Sequence, residues 1–166
     1  MRHIFSLLLI VIFFTACSTK NIYTNENRIK QLSLDIQSLS KKIDKEEAKK
    51  LSFEAITYSK KLAKRYEVTT PALFHNTLIN LNIKKRGYCY HYANDLQRYL
   101  KTKKFKTFEF IRAVSKRGEY FEHSSLVLTR DDLSFENSLI LDAWRDTGEL
   151  FWSKVKDDKE YIWEKK

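Results

Sequence analysis

The sequence predicts an α+β fold in which N-terminal helices precede a cysteine-bearing helix packed on an antiparallel β-sheet. Apolar residues recur at helical spacing through the first half of the chain. After Lys104, runs of aromatic and β-branched residues alternate with turn signals, as strands require. With 43% hydrophobic residues, one Pro and three Gly among 166 residues, the chain can build one core with short loops.

Residues 1–16 have the layout of a secretory signal. A short positive start precedes an apolar run of eleven residues, Ile4 to Phe14, which is too short to span a bilayer. The sequence Phe14-Thr15-Ala16-Cys17 resembles a bacterial lipoprotein signal, which implies lipid on Cys17 and a tether over 17–24. We therefore expect a protein of the cell envelope, anchored to a membrane and facing the periplasm. Ser18 favours the outer membrane over the inner. An ordinary cleaved signal with an incidental Cys17 is the alternative.

The chain carries 31 Lys and Arg against 21 Asp and Glu, a net charge of +10. Such a balance suits an anionic membrane, an acidic polymer or nucleic acid, although a solvated lysine surface explains it equally. Lysines at 101–106 interleave with aromatic residues, as in a weak nucleic-acid patch. Because an exported chain seldom meets nucleic acid, we expect membrane or cell-wall contact instead. No pattern indicates an oligomeric state.

The segment 25–66 is predicted to be helical. One apolar stripe has spacings of three and four residues, and a second stripe follows it: Ile29, Leu32, Ile36, Leu39 and Ile43, then Leu51, Ala55, Tyr58 and Leu62. Asp44 and Glu47 have the spacing of a capping box, which would begin a second helix. These residues form either a helical hairpin or one long kinked helix.

The segment 67–166 is predicted to form a second unit, which contains two helices followed by the strands. Thr70 as a cap and Pro71 at the first helical position predict a helix over 72–80. Gly87 marks a turn, and a helix follows from Cys89 to Lys101. The predicted strands cover 105–114, 120–129 and 137–144, with a polar loop at 130–136 and the tail 150–163 as an edge segment.

Cys89 is the first candidate catalytic residue. If Cys17 carries lipid, Cys89 has no partner, and an unpaired thiol in an exported protein suggests a reactive role. The start of a helix presents free N–H groups and a partial positive charge, which favour a thiolate and can hold an oxyanion. A small buried hydrophobe is the simpler interpretation of a lone Cys.

His123 and Asp142 are the candidate partners of Cys89. A hairpin without a bulge that is centred in the polar loop pairs His123 with Asp142 on neighbouring strands. The carboxylate can then orient the imidazole, which acts as a base or as the ion-pair partner of the thiolate. Alternatively, His123 is a half-buried structural residue, and Asp142 forms a salt bridge with Arg145 or Arg112.

At these residues the sequence resembles the transglutaminase-like group of the papain-like cysteine enzyme superfamily. The matching segments lie within 71–152 and comprise 86–93, 122–128 and 139–144. The resemblance implies that 67–166 is a catalytic domain with a Cys89–His123–Asp142 triad. It also implies thiol acyl chemistry on the amides of peptide, peptidoglycan or protein. No Gln precedes Cys89 to serve as the oxyanion residue, and the candidates for that role are Asn76, Asn80, Asn82 and backbone N–H groups.

Further residues have alternative interpretations. The candidates for a substrate groove are Tyr88, Tyr90, Trp144 and Trp152, although aromatic residues beside a hairpin are usually core. His91 is expected at the surface and His75 in packing; with Cys89 and His123 they form a zinc set whose spacing fits no short zinc pattern. We expect no metal and no cofactor. The sequence thus predicts a cysteine hydrolase or acyltransferase or, alternatively, an inactive binding module of the envelope.

Overall fold

The computed structural model describes the backbone of residues 19–166 and the side chains of residues 25–166. The predicted signal peptide 1–16 and the lipidation residue Cys17 lie outside these described residues. The predicted tether is helical from Thr19 onward, because the first helix already begins there. Within the described chain, no helix is both long and apolar enough to cross a membrane.

The predicted α+β class is confirmed. Over residues 19–166, four helices precede a five-stranded sheet whose pairings are all antiparallel and whose order is β4-β3-β2-β1-β5. The helices are α1 (Thr19–Leu39), α2 (Lys45–Arg65), α3 (Ala72–Asn80) and α4 (Cys89–Lys101). The strands are β1 (Glu109–Ser115), β2 (His123–Thr129), β3 (Leu139–Asp146), β4 (Glu149–Lys154) and β5 (Glu164–Lys165).

Helices α1 and α2 form a hairpin rather than one kinked helix. Asp44 caps α2, since its side chain accepts a hydrogen bond of 2.8 Å from the Glu47 N–H. The Glu47 carboxylate does not complete the expected capping box. It accepts instead from the N–H groups of Lys106 and Thr107, at 2.9 Å each. Glu47 thereby ties the start of α2 to the segment that leads into β1.

The cap of α3 and the bounds of the strands differ from those expected. Pro71, not Thr70, occupies the position that caps α3, and no side chain caps that helix. Strand β2 begins at His123, because residues 116–122 form a loop in which Lys116 and Gly118 have positive φ values of 54° and 77°. Helix α4 matches the predicted span of Cys89 to Lys101, and its apolar face is buried as expected.

The larger hydrophobic core joins the N-terminal hairpin to the sheet. Its fully buried side chains include Leu32 of α1, Leu51 of α2, Leu96 of α4 and Leu126 of β2. A smaller cluster on the other face of the sheet contains Val127, Ile140 and Trp163, and the C-terminal segment covers it. Helix α4 therefore lies between the hairpin and the sheet, with its first residue, Cys89, near the start of β2.

Candidate active site

Cys89 is held at the start of α4 by the turn that precedes it. Gly87 has a φ of 132°, and a Cβ at that position would lie 2.4 Å from the Nε2 atom of His75. His75 is buried, accepts from the Thr69 N–H at 3.2 Å and donates to the Arg86 carbonyl at 2.9 Å. The sequence predicted a packing role for His75. The structure shows that its ring links the turn before Cys89, through Arg86, to the Thr69 backbone. Cys89 itself is half-buried.

His91 contributes to the same turn, although the sequence predicted only a surface role. Its Nδ1 atom accepts hydrogen bonds from the N–H groups of Gly87, at 3.1 Å, and Tyr88, at 3.3 Å. Burial lowers the pKa of His91, and the nearby Arg86 lowers it further, so the acceptor form is favoured. His91 stands three residues after the cap position, where Glu or Gln stands in a capping box, and this spacing was the available signal.

The first N–H groups of α4 are free to bind an anion. The N–H groups of His91 and Tyr92 donate to the Tyr88 carbonyl. Within residues 25–166, those of Cys89 and Tyr90 have no such acceptor, as expected for the first turn of a helix. A negatively charged oxygen beside the Cys89 sulfur would therefore meet unpaired donors and the positive end of the helix dipole.

His123 and Asp142 form a buried pair. The Nε2 atom of His123 lies 2.6 Å from the Oδ2 atom of Asp142, and the two residues are 3% and 1% exposed. The other carboxylate oxygen accepts from the Trp144 and Arg145 N–H groups, at 3.0 and 3.3 Å. The Arg145 side chain also reaches Asp142, at 3.3 Å. The structural salt bridge and the His–Asp pair therefore coexist on one carboxylate, whereas Arg112 contacts Asn94 and Ser125 instead.

The predicted register of β2 against β3 is wrong by two residues. Leu126 pairs with Leu141 instead of Leu139, and Val127 pairs with Ile140. The loop between the strands contains a 3₁₀ turn at Phe135–Asn137, which shifts the centre of the hairpin. Since side chains alternate between the faces of a strand, a shift of two residues keeps His123 and Asp142 on one face. They meet diagonally rather than as directly opposed residues.

The pKa values of the pair move in opposite directions. Burial would lower the pKa of His123, but the Asp142 carboxylate more than compensates and raises this pKa to about 9. Burial would raise the pKa of Asp142, whereas His123 and then Arg145 hold it below its ordinary value. Both shifts favour an imidazolium paired with a carboxylate at neutral pH.

The second ring nitrogen of His123 is available for another partner, and His123 and Cys89 line the same cavity. This Nδ1 atom is buried and has no hydrogen-bond partner within the described residues. The Cys89 side chain nevertheless lies close enough to add to the raised pKa of His123. The Cys89 sulfur is also 3.9 Å from the carbonyl oxygen of Glu122, the residue before His123. The fold thus brings Cys89, His123 and Asp142 to one place.

A cavity of about 260 Å³ opens at these residues. Its walls include Cys89, His123, Asn76 and Trp144, which belong to four different elements. Of the three asparagine candidates for the oxyanion role, Asn76 lines this cavity, and its Oδ1 atom accepts from the Trp144 indole at 3.4 Å. Asn80 accepts from the Tyr88 hydroxyl, and Asn82 follows α3 in a turn with a φ of 59°. Neither of these two is among the residues that line the cavity.

No protein-family model, curated protein or solved structure matches this chain.

The four aromatic groove candidates occupy different places. Trp144 lines the cavity, and its ring centroid lies 4.8 Å from that of His123. Tyr88 and Tyr90 flank Cys89 and stack on each other at 5.6 Å, outside the cavity walls. Trp152 donates to Asp35 on α1 at 2.8 Å and packs against the core, so it anchors the N-terminal hairpin.

Sequence reasoning missed Tyr161, which also lines the cavity. Its ring centroid lies 4.4 Å from that of His123, and Trp163 lies 5.3 Å away. Together with Trp144, these rings exclude water from the imidazole and help to bury it. The alternating aromatic residues of the tail were visible in the sequence, but nothing there indicated that the tail returns to His123.

The residues of the alternative zinc set do not converge. Both ring nitrogens of His75 are engaged, one with the Thr69 N–H and the other with the Arg86 carbonyl. The Nδ1 atom of His91 caps α4. Among the residues that the structure describes, no group of three or more His, Cys, Asp and Glu side chains could hold a metal ion.

Proposed function

We propose that this protein is a cysteine hydrolase or acyltransferase that acts on amide bonds. One observation carries the proposal: His123, paired with the buried Asp142, lines the same cavity as a thiol at a helix N-terminus, and its Nδ1 atom has no hydrogen-bond partner among the described residues. These are the three parts of thiol acyl chemistry, namely a nucleophile, a proton carrier and an orienting carboxylate. The chain order of the three residues supports a papain-like, transglutaminase-like fold.

In the proposed reaction, the Cys89 thiolate attacks the carbonyl carbon of the amide and forms a carbon–sulfur bond. The oxyanion is held by the N–H groups of Cys89 and Tyr90, with the Asn76 amide as a further donor. The intermediate collapses, the carbon–nitrogen bond breaks, and protonated His123 gives its proton to the leaving amine. Water or a second amine then gives a proton to His123 and attacks the thioester carbon. The carbon–sulfur bond breaks, which releases the acid or the new amide and regenerates the Cys89 thiolate.

Asp142 has two roles in this proposal. Its carboxylate orients the imidazole so that Nδ1 faces the thiol. Its negative charge stabilises protonated His123, which later transfers the proton to the leaving amine. Arg145 and two backbone N–H groups keep the carboxylate ionised despite its burial. Lipid on Cys17 would anchor the enzyme to a membrane of the envelope, with its site toward peptide, peptidoglycan or protein amides.

Acylation by p-nitrophenyl acetate tests the proposal on the full chain. We expect a rapid release of one p-nitrophenolate per protein, an acetyl group on the Cys89 peptide by mass spectrometry, and slower steady turnover as the thioester hydrolyses. The Cys89→Ser variant should show no burst. A thiol that is acetylated no faster than glutathione, with no turnover, would contradict the proposal and favour a binding module that uses the same cavity.

A further inference from the structure

The loop between β1 and β2, residues 116–122, exposes two aromatic side chains at the mouth of the cavity. Tyr120 is 88% exposed and Phe121 is 59% exposed, and their rings pack edge to face at 4.9 Å. The loop is internally bonded, because the Glu122 carboxylate accepts from the Gly118 N–H and the Glu122 N–H donates to the Glu119 carbonyl. Solvent-exposed apolar side chains on an internally hydrogen-bonded loop indicate a ligand-binding surface.

A second element adds an exposed apolar side chain to the same cavity. Leu73, on α3, is 56% exposed and lines the same cavity as Tyr120, Phe121 and Cys89. Two elements that are distant in sequence therefore both place exposed apolar groups in the walls of the cavity that holds the thiol. A side chain that enters between them would remove apolar surface of its own and of the protein from water.

A second cavity adjoins the first and shares part of its lining. Lys116 and Glu160 line both spaces, and the second space, of about 430 Å³, also contains Ile162 and Trp163. Sites that enclose a whole small-molecule ligand usually measure roughly 300–1,000 Å³. The first cavity, at about 260 Å³, suits one side chain and the reacting bond, and the second offers a path for the rest of a chain.

We propose that the substrate of this site is a peptide with an aromatic or large aliphatic side chain beside the reacting amide. This inference rests on the proposed function and adds the substrate class to it. The side chain packs between Leu73 and the Tyr120–Phe121 pair while the reacting carbonyl reaches Cys89. The neighbouring peptide residues run past Lys116 and Glu160 into the second cavity.

A matched pair of alkylating reagents tests the preference for an apolar side chain. Iodoacetyl-phenylalanine amide and iodoacetyl-glycine amide differ only in that side chain, and the rate at Cys89 is read by mass spectrometry of its peptide on the full chain. The ratio of the two rates is divided by the same ratio for glutathione. We expect a normalised ratio of about ten, equivalent to about 1.4 kcal/mol.

Variants then locate the origin of the preference. The Tyr120→Ser/Phe121→Ser double variant should reduce the normalised ratio to about one, because both substituted residues are exposed and the fold does not depend on them. Phe53→Ser removes a similarly exposed aromatic side chain from α2 and should leave the ratio unchanged. A wild-type ratio near one with fast alkylation by both reagents would overturn the substrate class alone. Slow alkylation by both would overturn the proposed function and this inference with it.

Discussion

Gly87 shows how one residue fixes the position of the nucleophile. Its positive φ suits glycine, and its missing side chain leaves room for the ring of His75, which donates to the Arg86 carbonyl in the turn and accepts from the Thr69 N–H in the connection between α2 and α3. The sequence predicted a turn at Gly87 but not its close contact with His75. That contact depends on the return of α3 to the start of α4, and no local pattern encodes it.

Gly87→Ala is expected to destabilise the protein by about 1–3 kcal/mol more than Gly118→Ala. A φ of 77° at Gly118 lies near the left-handed region, whereas 132° at Gly87 lies far from it, and a Cβ at Gly118 would meet nothing within 4 Å. The difference therefore combines the clash with His75 and the larger backbone strain at Gly87. Urea unfolding of the two variants measures it, and equal losses of free energy would show that His75 does not hold the turn.

His123 and Asp142 mark how far the sequence alone could lead to the site. The sequence correctly placed both side chains on one face of the sheet, because side chains alternate along neighbouring strands. The predicted pairing of β2 with β3 was wrong by two residues. The bend at Phe135–Asn137 sets that register, and composition could identify the loop without giving its path. The oxyanion candidates were separated only by three-dimensional packing, which brings Asn76 alone to the cavity.

Among the elements, α3 and α4 have the bounds that the sequence predicted, and for α4 several local signals agree. A glycine turn precedes it, its apolar face has helical spacing, and basic residues stand in its last turn. The strands were less well bounded, since aromatic residues such as Phe105 and Tyr120 favour a strand by propensity yet lie outside β1 and β2. One packs in the core and the other lies exposed in a loop, so tertiary context overrode propensity.

His91→Phe is expected to destabilise the protein by about 1 kcal/mol, because it removes the acceptor that caps α4. His91→Gln should retain most of the stability, since a Gln at the third helical position can accept from the same N–H groups. Thermal unfolding of both variants measures the effect. If Gln and Phe proved equally destabilising, the ring of His91 would matter through packing rather than as a cap.

At the scale of the whole molecule, the N-terminal hairpin and the sheet share one core. The sequence predicted helices over 25–66, and α1 and α2 agree with that prediction and contribute to this core. The predicted anchor at Cys17 lies outside the described residues, so the relation of the hairpin to a membrane stays a prediction. The hydrogen bond of 2.7 Å from Tyr66 to Asp95 joins the end of α2 directly to α4.

The His123–Asp142 pair makes stability depend on pH in a defined way. The pKa of His123 is raised from 6.5 to about 9, so its contribution is complete below pH 6.5 and is lost as pH rises through 9. The pKa of Asp142 is lowered from 3.8, so its contribution is present above pH 3.8 and is lost as pH falls below that value. The pair therefore stabilises the fold most between these limits.

Asp142→Asn should lower the free energy of unfolding by about 3 kcal/mol between pH 4 and 6.5, and by less above pH 9. Urea unfolding across this range measures the difference from the wild type. Asp157→Asn, at an exposed carboxylate, is the control and should change little at any pH. A loss that did not shrink at alkaline pH would mean that Asp142 acts on the fold without the charge of His123.

The most direct measurement is the rate of Cys89 alkylation by iodoacetamide at neutral pH, followed on the Cys89 peptide of the full chain. If His123 holds the thiolate, the wild-type rate should exceed that of glutathione by about tenfold or more. His123→Ala should bring the rate to that of glutathione or below, and Asp142→Asn should give an intermediate rate, in variants shown to be folded by circular dichroism. A wild-type rate no greater than that of glutathione and unaltered by His123→Ala would contradict a catalytic Cys89–His123–Asp142 site.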